Sequence, residues 1–162
     1  MSSLRREGRE AAVQFLYSLD QNPAPSPSRF DLFWSVHQAG AGARAFAESL
    51  VQGVLAKRQE IDALLGQALQ NWALERLEVV DRNVLRLAAY EMFHCPETPP
   101  IVAINEAIEV ARHLGTPESP RFVNGVLDEL KKHLTRPLRT ATSRPPRKSG
   151  GSPPDGGTST PS

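Results

Sequence analysis

Apolar residues recur at helical spacing along most of the chain, and the densest run lies between Leu77 and Phe93. At about 100° per residue, Val80, Val84, Leu85, Leu87, Ala88, Ala89 and Met92 span roughly 200°, about twice the stripe of a surface helix. This segment must therefore be covered on two sides. Asp81 suits its first turn, Pro96 ends it, and Arg82, Asn83 and Arg86 with Tyr90 form one narrow outward strip. Glu91 falls inside the apolar arc, where a lone carboxylate is costly, so it needs a donor or cation from another segment.

The same periodicity predicts the other elements. Leu4 to Leu19 buries Ala11, Ala12, Phe15, Leu16 and Leu19, while Arg5, Arg9, Val13 and Tyr17 share one edge. Pro23, Pro25 and Pro27 predict a polyproline-like connector. A short aromatic helix from Phe30 to Val36 follows, then helices over Ala43–Gln59 and Ile61–Leu69, with Trp72 and Leu74 leading into the central run. Thr98 can cap a helix that begins at Pro99 and Pro100, buries Ile101, Ile104, Ala107, Ile108, Ala111 and Leu114, and stops at Gly115. Ser119 can cap a last helix with Pro120 at its first position and Phe122, Val123, Val126, Leu127, Leu130 and Leu134 inward. No alternation of strand period stands out. The pattern predicts an all-α, single-domain bundle of about seven helices.

Size and composition sharpen this. At 162 residues and 40% hydrophobic content one core is expected, over residues 1–134. From Thr135 onward prolines, glycines, Ser and Thr replace large apolar residues, which predicts a disordered basic tail over 135–162. Arg136, Arg139, Arg144, Arg147 and Lys148 against Asp155 give that tail +4, so a net charge of +1 leaves −3 on the part before it. A mildly acidic body excludes a bulk polyanion binder, and any nucleic-acid contact must be a local patch. The single Cys95 excludes an internal disulfide and suits a reducing compartment. Glu7, Arg9 and Glu10 stand where a signal peptide would be apolar, and no apolar run approaches the ~18 residues of a membrane span. A cytoplasmic protein without membrane contact is expected.

Catalysis has no visible home: there is no nucleophile elbow, no triad signature and no phosphate-cradling glycine loop. Neither a cofactor nor a metal is expected. Glu91 and His94 have the Glu-x-x-His spacing of bundle-core metal sites, but such a site needs the motif twice. Glu109 and His113 read as a surface ion pair. Residues 109–130 imitate a helix-turn-helix, against which stand the long proline-bearing turn and the acids Glu118, Asp128 and Glu129. A third candidate is assembled from distant segments. Phe122 lies at the margin of the last helix's apolar arc with Arg121 and Asn124 toward solvent, and Arg5, Arg6 and Arg9 are elsewhere. A ring for stacking, guanidinium groups for phosphates and an amide for a base edge suit single-stranded RNA, although each residue alone is equally an ordinary core or surface position.

Four blocks carry a resemblance to a known family: Arg9–Gln14 with Leu16–Ser18; Val84–Ala88 with Tyr90 and Glu91; Val102–Glu109; and Phe122–Asp128. In this order, over roughly residues 4–134, the chain resembles the NusB family of bacterial transcription antitermination factors. The resemblance implies a non-enzymatic helical bundle that binds boxA RNA of ribosomal RNA leader transcripts jointly with a small-subunit ribosomal protein (NusE). It further implies assembly with other Nus factors on RNA polymerase. By position, the family's basic RNA-binding stretch falls on Arg5, Arg6 and Arg9, and its second RNA-facing element on Glu118, Arg121, Phe122 and Asn124, with Tyr17 on the arginine edge. The first and last helices would then hold one extended strand between them. Some family members form homodimers, and the residues leave that open here. A similar domain fronts some ribosomal RNA methyltransferases, but a catalytic domain or cofactor loop is not expected here, where the tail follows. The alternative from another class is a helical protein-interaction scaffold without sequence-specific RNA binding.

Overall fold

The computed structural model describes residues 3–22, 29–70 and 72–141. Among these are seven α-helices and no strand: α1 (Leu4–Gln21), α2 (Arg29–Val36), α3 (Ala41–Ala56), α4 (Arg58–Ala68), α5 (Val79–His94), α6 (Pro100–Leu114) and α7 (Ser119–Leu130). The connector prolines Pro23, Pro25 and Pro27 and the tail from residue 142 lie outside the described residues.

Helix α5 is the centre: α1, α3, α4, α6 and α7 all pack against it. Its wide apolar arc is filled as expected, with Val84, Leu85, Leu87, Ala88, Ala89 and Met92 buried. The outward strip expected beside that arc is not outward. Asn83 and Arg86 are buried, because α1 and α4 bring acids to them. Asn83 Nδ2 and Arg82 Nη2 donate to Asp20 at 2.9 and 3.1 Å, and Arg86 Nε donates to Asp62 at 2.9 Å. Matched charge takes the place of solvent, and α5 is enclosed nearly all round.

Other elements differ in their ends. No side chain caps α6: Pro99 is the N-cap residue, so Thr98 does not act there. Ser119 likewise belongs to the first turn of α7, and its hydroxyl accepts from the Thr116 amide at 2.9 Å, closing the preceding turn. The break between α3 and α4 falls at Lys57, which ends one helix and begins the other, earlier than the expected Gln59. Helix α2 is held through Phe33, whose ring meets Phe15 of α1 at 5.1 Å. Gly8 allows α1 and α3 to touch, since a Cβ there would stand 2.7 Å from Phe46 Cδ2 and 3.1 Å from the Ala43 carbonyl.

Past the expected boundary at Thr135 the chain still binds the body. The Arg136 guanidinium donates to the carbonyls of Glu91, Met92, Cys95, Pro96 and Thr98 at 2.9–3.1 Å, and the Ile101 amide donates to Leu138. These carbonyls include those a helix end leaves without partners, and a cation there also suits the helix dipole.

Candidate nucleic-acid interface

The three N-terminal arginines have three different environments. Arg5 is exposed, with its guanidinium 4.8 Å above the Phe46 ring. It lines a groove of about 350 Å³ with Ser3, Arg9, Glu97, Thr98, Pro99, Val102 and Glu106. Arg6 grips Glu106 through two hydrogen bonds of 2.9 Å, tying the start of α1 to α6. That grip holds the Glu106 carboxyl below the usual carboxylate range and outweighs its partial burial.

Arg9 is 4% exposed, and Nε and Nη2 each donate to Glu91 at 2.7 Å. The requirement that Glu91 sets in the sequence is met by this residue. Arg9 is therefore a clasp between α1 and α5, almost wholly buried at the wall of the groove that Arg5 lines. The expected edge of Arg5, Arg9, Val13 and Tyr17 is real only at its ends: Arg5 and Tyr17 are exposed and the middle two are buried. Twelve positions apart on one helix, Arg5 and Tyr17 stand roughly 18 Å from each other.

The second group lies on α7. Glu118, Arg121 and Asn124 are exposed and Phe122 is half-buried, resting against the core on one side. Glu118 occupies the N-cap position without a side-chain bond to the helix, so its charge stands by the helix start. Phe122 and Arg121 line a groove of about 290 Å³ with Gln70, Trp72, Gly125 and Glu129. Trp72 is 60% exposed, and its ring meets Phe122 edge to face, with centroids 6.3 Å apart and planes at 77°. Sequence reasoning passed over Trp72, because it sits in the link before α5, outside any helical period; its polar neighbours Gln70 and Asn71 were the one available signal.

Helices α1 and α7 both pack on α5 and α6, and the two grooves share no lining residue. The structure thus brings Arg121 and Phe122 together, and Arg5 near Arg6, but it does not gather both sets into one pocket. Other expected pairings are redrawn. His113 Nδ1 meets Glu10 of α1 at 2.6 Å, while Glu109 pairs with Arg112 at 3.4 Å. Glu91 and His94 diverge, the latter to Glu60 at 3.0 Å, and among the described residues no cluster of His, Cys, Asp or Glu is suited to a metal ion. Cys95 is buried, and that burial pushes its thiol up to about 12. No helix among the described residues is long and apolar enough to cross a membrane.

The profile of the NusB family matches residues 6–132. A transcription antitermination protein NusB of Desulfotalea psychrophila is 44% identical over 135 residues, covering 80% of this chain and 96% of that protein. The solved NusB of T. maritima superposes with a TM-score of 0.73 at 34% identity, covering 84% of this chain and 96% of the other. A solved complex of the antitermination factors NusB and NusE with dsRNA holds a chain of the same fold, with a TM-score of 0.73 at 24% identity over 83% of this chain and all of that one.

Proposed function

The chain belongs to the NusB family, and from that premise we propose that it binds boxA RNA of ribosomal RNA leader transcripts together with the ribosomal protein NusE. In this reading it joins other Nus factors on RNA polymerase in the cytoplasm, as a binding protein rather than an enzyme. The solved NusB–NusE assembly with RNA, a likeness in fold, is in keeping with such partners. Residues 1–134 form the RNA-binding domain, with Arg136 and Leu138 fastened to it, and the rest is a basic tail.

The observation that carries this reading is the placement of Phe122 and Arg121. A half-exposed ring beside an exposed guanidinium, near the start of α7, suits a base and its phosphate. Asn124 adds an amide for a base edge, Arg5 and Arg6 add charge, and Tyr17 adds a second exposed ring farther along α1. Glu118 opposes the phosphate, which favours modest affinity for RNA alone and a need for NusE. Arg9 supports the site from behind by holding α1 in place.

Fluorescence anisotropy with labelled boxA and scrambled RNA, with and without NusE, tests this. Preference for boxA that strengthens with NusE is expected, and Phe122→Ala should weaken binding by about 5- to 150-fold, the range for losing one stacked base. Equal affinity for both RNAs with and without NusE would instead assign the fold to a protein-interaction scaffold.

A further inference from the structure

We propose that Trp72 is a second stacking ring, which with Phe122 forms a two-walled seat for one unstacked base of single-stranded RNA. The inference rests on the RNA-binding reading above and deepens it by naming a contact outside α7. An exposed tryptophan by itself means little, since lone apolar side chains are common on protein surfaces. Here three further facts accompany it. Its ring stands at 77° to Phe122, so the two make a corner, and a base laid on one face meets the other ring at its edge. Gly125 lines the same groove, and a Cβ there would meet nothing within 4 Å, so the groove is unobstructed on the α7 side. At about 290 Å³ the groove is near the lower limit of small-ligand sites, roughly 300–1,000 Å³, a size for one base rather than a folded ligand.

The polar lining favours a nucleotide over an apolar peptide side chain. Arg121 can take a phosphate, and the Gln70 amide can both donate to and accept from a base edge. The one acid in the groove, Glu129, is held by Lys132 at 3.1 Å, which offsets its charge. Because Trp72 belongs to the link between α4 and α5, it would let the site grip RNA from two segments at once.

The chain has two tryptophans, so intrinsic fluorescence can report the contact directly. Titration with unlabelled boxA RNA should quench the emission, and Trp72→Phe should keep most of the affinity while losing the quench. Trp72→Ala should weaken boxA binding about five-fold or more at unchanged melting temperature. Replacing boxA bases one at a time by abasic sites should reveal one position at which wild type and Trp72→Ala bind equally. Binding of boxA with no quench and no effect of Trp72→Ala would overturn the inference and leave the RNA-binding reading standing if Phe122→Ala still fails. Quenching by NusE alone would make Trp72 a protein contact and also overturn it. No preference for boxA under any condition would remove both.

Discussion

Without the Arg9 side chain, the Glu91 carboxyl, 2% exposed between α1 and α5, would lose both of the 2.7 Å hydrogen bonds that Arg9 gives it. Stranding one member of a buried pair costs about 3–5 kcal/mol, whereas replacing both by apolar groups of similar volume is close to neutral. Urea denaturation should therefore show Arg9→Ala losing that amount and Arg9→Met with Glu91→Leu recovering most of it. Equal loss in the single and double variants would mean that the pair does not couple the helices. RNA binding by Arg9→Ala should fall only as far as the protein unfolds. The sequence showed that Glu91 needed a partner, because a charge within an apolar arc is visible from helical phase alone. It could not show that Arg9, 82 positions away, would be consumed in meeting that need.

Between elements, close approach and charge set the fits. Gly8→Ala gains about 1 kcal/mol of helix propensity but forces a methyl against Phe46 and the Ala43 backbone, and overpacking costs about 1–3 kcal/mol. A net loss of about 1 kcal/mol in chemical denaturation is expected. Gly66→Ala, exposed in α4 with open space around it, should gain about 0.5–1 kcal/mol in the same assay. Two contacts of α1 also depend on acid. Hydrogen bonds from Arg6 hold Glu106 below its ordinary 4.5, and those from Asn83 and Arg82 overcome burial to hold Asp20 below 3.8. Near these values the unfolded chain binds more protons than the folded one, so stability rises with pH. Their contribution is present above about pH 4.5 and is lost as pH falls through the depressed folded values. Melting temperatures measured from about pH 3 to 6 should drop at the acid end, less steeply in Glu106→Gln; identical profiles would remove Glu106 from the account. The helices themselves were legible because each buries a local, periodic face. The α3–α4 break was not, since it falls at Lys57 with no proline or glycine to mark it. The strip of Asn83 and Arg86 was misread because periodicity cannot register a charge matched by Asp20 or Asp62 on other helices.

At the scale of the whole molecule, little positive charge is left for phosphates within the proposed interface. Arg9, Arg82 and Arg86 are buried or paired within the body, and Arg6 is committed to Glu106, which leaves Arg5 and Arg121 most open in the proposed interface. With roughly two or three phosphates neutralised, the logarithm of RNA affinity should fall with the logarithm of salt at a slope of about −2. Anisotropy titrations from about 50 to 200 mM salt measure this, and a slope of −5 or steeper would require cations outside this interface. Phe122 was legible as part of the site from its phase on α7, whereas Trp72 gained a role only when folding set it beside Phe122. The central helix is finished by Arg136, 41 residues after the Cys95 carbonyl it binds. At about 5–20 residues per second, a nascent chain waits roughly 2–8 s between making that carbonyl and making its partner. Through that interval the most enclosed helix of the protein has an open end, so its maturation must await almost the entire translation of the folded body.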